Sequence, residues 1–166
     1  MAMWNDYFRL SRAIGRRDYG GAAALCEAIL AQDPEDSFAM GMLAHSYGWQ
    51  DRYGDALVWA EKALAKTPDS LSLLRLAICA CVKQNDDARA KPMVLRALAL
   101  DPNSEAPPEW LSFPIRILMR TPIIRRAFRA DAAPEVDRDL AARDYREWKA
   151  WAEAYLASLE GKGEPA

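Results

Sequence analysis

The chain has 166 residues, of which 51% are hydrophobic and 28% charged, so it is long enough for one globular domain with a core. A formal net charge of −2 at pH 7 excludes a general positive field that would attract nucleic acid or acidic membranes. Three cysteines are too few for a disulfide framework, and no stretch has the pattern of a cleaved leader or a membrane span. We therefore expect a cytoplasmic protein.

The clearest signal in the sequence is a repeat of 34 residues. Three prolines lie 34 positions apart, each after an alanine-rich apolar segment: Pro34, Pro68 and Pro102. A small residue recurs twelve positions before each of them: Ala22, Ala56 and Ala90. Because alanine lets two helices approach closely and proline ends a helix, this spacing predicts a series of helical hairpins.

The apolar positions between these residues complete the pattern, most clearly in the second copy. That copy has Met40, Leu43, Ala44 and Tyr47 ahead of its alanine and proline. The arrangement resembles the tetratricopeptide repeat family, whose 34-residue unit combines Trp, Leu, Gly, Tyr, Ala, Phe and Pro at fixed places. The resemblance covers residues 3–102 and implies an all-α fold, an α-solenoid of three helical hairpins.

We expect two helices in each copy, and the copies span residues 3–36, 37–70 and 71–104. In chain order the predicted helices are 3–14, 19–32, 37–49, 53–66, 71–83 and 87–100. In the first copy, Asp6 and Arg9 stand where the later copies have apolar residues. This difference suits a terminal repeat, whose outer face meets water instead of a neighbouring repeat.

The repeat stops after Pro102 because further prolines interrupt the next copy: Pro107, Pro108, Pro114 and Pro122. We expect residues 105–160 to form a non-repeat helical cap that covers the third hairpin, and residues 161–166 to form a disordered tail. The last helix should begin near Pro134 and end near Glu160. Its apolar stripe includes Trp148 and Trp151.

The resemblance also implies a binding site, because one face of the first helices lines a concave groove that binds peptides in this family. The matching positions here are Trp4, Tyr7, Ser11, Phe38, Met42, His45, Trp49, Arg75, Cys79 and Lys83. Aromatic and methionine side chains offer a large contact area, and the two basic residues can pair with an acid. In the alternative interpretation, the C-terminal segment of the same chain fills this groove.

A second candidate surface is rich in arginine: Arg116, Arg120, Arg125, Arg126 and Arg129. On helical angles these side chains lie opposite apolar ones, so the segment is amphipathic. Three interpretations stay open: a cap on the last repeat, contact with an anionic membrane or partner, and contact with nucleic acid. The lack of a lysine cluster and of interleaved stacking aromatics disfavours nucleic acid.

The sequence holds no recognisable catalytic or metal-binding motif. Cys79 and Cys81 diverge by about 200° on a helix, so they cannot share a metal, and we interpret both, with Cys26, as core thiols. His45 is the only histidine, and no catalytic triad, zinc motif or phosphate-binding loop occurs. We therefore expect no enzyme activity, no metal and no cofactor.

These observations favour a protein that binds another polypeptide, as an adaptor or a small chaperone. The size and three-repeat layout are similar to those of the secretion chaperones of bacterial type III systems. One alternative is a self-associating structural module that forms a homodimer through the tryptophan-bearing last helix. Another is a regulatory subunit that contacts a membrane surface.

Overall fold

The computed structural model describes residues 2–100 and 138–161. The first of these ranges contains six helices: α1 (Ala2–Gly15), α2 (Tyr19–Gln32), α3 (Ser37–Gly48), α4 (Tyr53–Lys66), α5 (Leu71–Lys83) and α6 (Asp87–Ala99). The second range is a single helix, α7 (Arg138–Gly161). No strand occurs in either range. The chain divides into two units, residues 1–100 and 101–166.

The six helices of the first unit confirm the prediction of an all-α solenoid of three hairpins. No helix end differs from its predicted position by more than one residue. Each helix contacts the next one along the chain, and α3 also contacts α5. The helices therefore pair as α1 with α2, α3 with α4 and α5 with α6, and successive hairpins stack on one another.

The turn inside each hairpin repeats in the backbone as well as in the sequence. In the described ranges, the non-glycine residues with a left-handed φ are spaced by 34 positions: Arg17 (59°), Asp51 (59°) and Asn85 (57°). The amide of the following residue donates back to the end of the first helix, as in Asp18 N to Ala13 O at 2.9 Å. The same bond occurs between Arg52 and Tyr47 and between Asp86 and Cys81. This is the Schellman arrangement, which ends a helix and reverses the chain.

Side chains at the helix starts accept the amides that a helix leaves unbonded in its first turn. The caps are Asp18 for α2, Asp36 for α3, Ser70 for α5 and Asp86 for α6. At the start of α4 this position is Arg52, whose side chain makes no cap hydrogen bond. Its guanidinium pairs with Asp55 at 2.6 Å and lies over the ring of Tyr47, so α4 is anchored by side-chain contacts instead.

The left-handed turn residues give a first stability prediction. Arg17→Gly should raise the free energy of unfolding by about 1 kcal/mol, because a side chain in this region crowds its own carbonyl and glycine does not. Asn85→Gly should give a smaller gain, since asparagine tolerates the left-handed region. Urea unfolding of both variants checks this. A loss of stability in Arg17→Gly would show that its side chain stabilises the turn.

The repeated alanines lie where the two helices of each hairpin touch. Ala22, Ala56 and Ala90 are all fully buried. The largest fully buried side chains of the same unit are apolar: Leu10, Ile29, Leu43, Leu74, Ile78 and Val94. The core of the first unit is therefore built from the positions that the 34-residue pattern marked as apolar or small.

The first hairpin has charged residues at positions where the later hairpins have buried ones. Arg9 and Arg12 are exposed, whereas Leu43 and Ser46, 34 positions later, are buried. Arg9 pairs with Asp6 at 3.5 Å. This pattern agrees with a terminal repeat that faces solvent on one side.

In the second unit, α7 spans Arg138–Gly161, within the region where the sequence predicts the last helix. The ring of Trp151 stacks on that of Tyr155, with centroids 5.4 Å apart and 9° between the planes. The predicted helices between residues 105 and 137 and the tail 162–166 lie outside the described residues, and a cap formed by residues 105–160 stays a prediction. Among the helices that the structure describes, none has the length and apolar character needed to cross a bilayer.

Candidate functional site

The candidate site is the side of α1, α3 and α5 on which the predicted groove residues lie. We call it the first-helix face and define it by Tyr7, Ser11, Phe38, Met42, His45, Trp49, Arg75, Cys79 and Lys83. Within each helix these residues recur every three or four positions, which places them on one side of the helix. The tenth predicted residue, Trp4, lies in the first turn of α1.

Tyr7 and Phe38 join α1 to α3 on this face. Their ring centroids are 5.7 Å apart, and the planes are tilted by 59°. The Tyr7 hydroxyl donates to Asp36, the residue that caps α3. Burial raises the pKa of Tyr7, and the hydrogen bond to Asp36 raises it further. The contact with the Phe38 ring and the hydroxyl bond to Asp36 together hold Tyr7 in place.

Trp49, directly after α3, carries the largest exposed ring of the face and is 45% exposed. Its ring stacks with that of His45 at a centroid distance of 5.6 Å and contacts that of Tyr19 of α2 at 4.9 Å. His45 Nε2 lies 3.1 Å from the Ser72 hydroxyl of α5. These contacts fix the position of Trp49 and leave part of its indole open to solvent.

The α5 part of the face is polar and basic. Arg75, Cys79 and Lys83 are spaced by four positions and so share one side of the helix. Arg75 is half-buried, and both Cys79 and Lys83 are exposed. The face thus brings together two aromatic pairs on α1 and α3 and a basic row on α5.

The structure corrects the interpretation of the thiols. Cys26 and Cys81 are buried as predicted, but Cys79 is exposed and does not belong to the core. The reason is its position on α5, in line with Arg75 and Lys83, whereas Cys81, two positions later, lies on the buried side of the same helix. Burial raises the pKa of Cys26 to about 12 and also raises that of Cys81.

These environments predict one reactive thiol in the folded chain. Cys79 should react rapidly with a thiol-specific reagent, because reaction needs access and a thiolate, which burial denies to Cys26 and Cys81. All three should react in denaturant. Cys79→Ser should remove the fast phase. A fast phase that persists in that variant would contradict the assignment.

Two residues near the face escaped the sequence analysis, and the 34-residue spacing could have found both. Phe8 is exposed on α1 and lies 34 positions before Met42. Tyr19, which supports Trp49, begins α2 as Tyr53 begins α4. Phe8 therefore takes the position that Met42 has in the next copy, and Tyr19 repeats the tyrosine of the next copy.

Two further predictions concern the basic segment and the binding of metal. The five arginines of the basic segment, Arg116, Arg120, Arg125, Arg126 and Arg129, lie in the part that the structure does not describe. Over residues 2–100 and 138–161, no group of three or more His, Cys, Asp or Glu side chains is placed to hold a metal ion.

The stacked hairpins and their first-helix face define an α-solenoid of the kind built from short helical repeats. Residues 13–71 match the family described as tetratricopeptide repeat. Residues 13–71 thus contain tetratricopeptide repeats, and the resemblance inferred from the 34-residue spacing is confirmed. Arrays of such repeats offer extended binding surfaces for other proteins.

Several solved structures are also similar to this chain. A structure of Naa15/Naa10 bound to HypK-THB is similar at a TM-score of 0.47 and 20% sequence identity. The likeness covers 100% of this chain and 26% of that chain, so this chain spans about a quarter of its length. No curated protein matches the sequence.

Proposed function

We propose that this protein binds a segment of another polypeptide on its first-helix face, as an adaptor or a small chaperone. The observation that carries the proposal is the exposed indole of Trp49, held by ring contacts with His45 and Tyr19. An aromatic ring that is both exposed and fixed loses little conformational freedom on binding. Such rings are frequent among the residues that dominate binding energy.

The neighbouring side chains extend this surface beyond a single ring. Phe38 packs against Tyr7, and Met42 and the exposed Phe8 occupy matching positions on α3 and α1. Methionine and aromatic side chains together adapt to varied apolar partners. These residues favour a partner segment with large apolar side chains.

A direct test uses short random peptides displayed on phage and selected on the immobilised full-length chain. Phe38→Ala/Trp49→Ala should lose capture of the selected peptides, since each lost anchor weakens binding by about 2 kcal/mol, or roughly thirtyfold. Tyr7 is left intact because its hydroxyl bonds to the cap of α3. Circular dichroism should show unchanged helicity.

Trp151 supplies a matched control, because it is a tryptophan of similar exposure, 41%, on α7. Trp151→Ala should capture the same peptides as the wild type. If the Phe38/Trp49 variant is folded and captures peptides as well as the wild type does, the first-helix face is not the binding surface.

The stack of Trp151 on Tyr155 supports a second candidate function, self-association through α7. An exposed tryptophan on a helix that also carries Tyr155 and a buried Ala152 offers an apolar anchor to a second copy. Light scattering distinguishes the candidates. A dimer that Trp151→Ala converts to a monomer supports self-association, whereas a monomeric wild type excludes it.

A further inference from the structure

The first hairpin carries a row of exposed arginines along α1. This arginine row consists of Arg9, Arg12 and Arg16. Its members follow one another at three and four positions, so they share one side of the helix over about 10 Å. Arg16 comes directly after α1 but continues its hydrogen bonding, because its amide donates to the Arg12 carbonyl at 3.1 Å.

In the second hairpin, the matching positions contact the hairpin before it. Leu43 and Ser46 of α3 take the places of the first two arginines, and both are fully buried. Gln50 takes the place of the third, and its side-chain amide donates to the Tyr19 carbonyl of α2 at 3.2 Å. The side of α1 that bears the arginine row is therefore the side on which, in the next copy, a helix packs.

The positive charge of the arginine row is little compensated. Among the residues that the structure describes, no carboxylate lies within ion-pair distance of Arg12 or Arg16. Arg9 pairs with Asp6, but at 3.5 Å and with 61% of the arginine side chain exposed this pair contributes little. Asp18, the next carboxylate along the chain, accepts a backbone amide as the cap of α2. A partner that covers this side of α1 therefore meets positive charge.

We propose that the arginine row is a second interaction surface, which binds an acidic amphipathic helix of another protein. The helix lies along α1 as α2 lies along α3, and its carboxylates pair with the arginines, whose guanidinium groups can each form two parallel bonds to a carboxylate. Phe8, which is 60% exposed and four positions before Arg12, offers an apolar contact beside the row. The exposed ring favours a partner with apolar as well as acidic side chains, as an amphipathic helix has.

The test selects helical peptides, displayed on phage and randomised along one side, on the immobilised full-length chain. Peptides selected on the wild type should carry Asp or Glu at spacings of three and four, and selection on Arg12→Glu/Arg16→Glu should lose this enrichment. Both arginines are exposed, so their replacement leaves the core intact. A labelled acidic helix should bind this variant about tenfold more weakly than the wild type, with a smaller difference at high salt.

Arg12→Gln is a second variant, because it removes one positive charge without adding a carboxylate, and it should weaken binding by about threefold. Lys91→Glu is the matched control, since it reverses an exposed base on α6 and should leave the affinity unchanged. Circular dichroism should show the same helicity for all three variants.

The arginine row contains no residue of the first-helix face, so this proposal does not depend on the function proposed above. Phe38→Ala/Trp49→Ala should therefore bind the acidic helix as tightly as the wild type does. Loss of binding in that variant would place the helix on the first-helix face and overturn the inference, while the proposed function stands. The inference is also wrong if the selected helices show no acidic enrichment. Arginine-dependent binding of phosphatidylserine vesicles or of a single-stranded oligonucleotide, without binding of any acidic helix, would contradict it as well.

Discussion

Pro92→Ala should stabilise the protein by about 2 kcal/mol. Pro92 lies inside α6, where it has no amide to donate to the Ala88 carbonyl and its ring crowds that carbonyl. A proline in a helix interior costs about 3 kcal/mol, and the alanine variant loses up to about 1 kcal/mol through its freer unfolded chain. The side chain of Pro92 is exposed, so no core contact is lost.

Urea unfolding measures this gain. Lys91→Ala is the control, because it changes an exposed neighbour in the same helix and should alter the free energy of unfolding by less than about 0.5 kcal/mol. A Pro92→Ala variant that is no more stable than the wild type would mean that α6 is distorted there for a reason other than the missing hydrogen bond.

Ala90→Leu should destabilise the protein by about 1–3 kcal/mol. Ala90 is fully buried in α6, in the hairpin that α6 forms with α5, so a larger side chain must displace well-packed neighbours. The expected result is a melting temperature several degrees below that of the wild type.

Ala88→Leu is the matched control for this substitution. Ala88 lies two positions earlier in the same helix and is exposed, so the added carbons meet water. Its melting temperature should stay close to that of the wild type. Equal melting temperatures for Ala90→Leu and the wild type would mean that the position of α6 against α5 is not as described.

The helices could be predicted from the sequence because two kinds of residue fix their register. Each repeated proline ends a second helix, and each repeated alanine marks the close contact within a hairpin. With Ala56 and Pro68 placed, the helix bounds of the second copy follow within one residue.

At Pro92, the burial of neighbouring side chains outweighs the tendency of proline to end a helix. A proline at this place would normally end a helix, yet α6 continues to Ala99. Ala90, Val94 and Ala97 are all fully buried on the same helix. Their burial offsets the hydrogen bond that Pro92 cannot make. The repeat pattern therefore predicts α6 correctly, whereas the local rule for proline does not.

The sequence could predict which residues share one side of the helices in the candidate site, but not which side chains contact each other there. The spacing located Trp49 and His45 on one side of the array. It gave no information on the stack with Tyr19 or the contact with Ser72, because these depend on side-chain rotamers across helices that are distant in sequence. Cys79 was misjudged because cysteine is usually buried, although its four-residue spacing from Lys83 already placed it on the exposed side of α5.

The central claim, that the first-helix face binds the partner, is tested most directly by the indole NMR signals of the tryptophans. A selected peptide is titrated into the labelled full-length chain, and the shift of each indole N–H is followed. Trp49 should shift strongly, while Trp59 of α4, whose ring lies under the Lys62 ammonium at 3.9 Å, should not move. Shifts at Trp59 or Trp151 with an unchanged Trp49 would contradict the account and place binding on another surface.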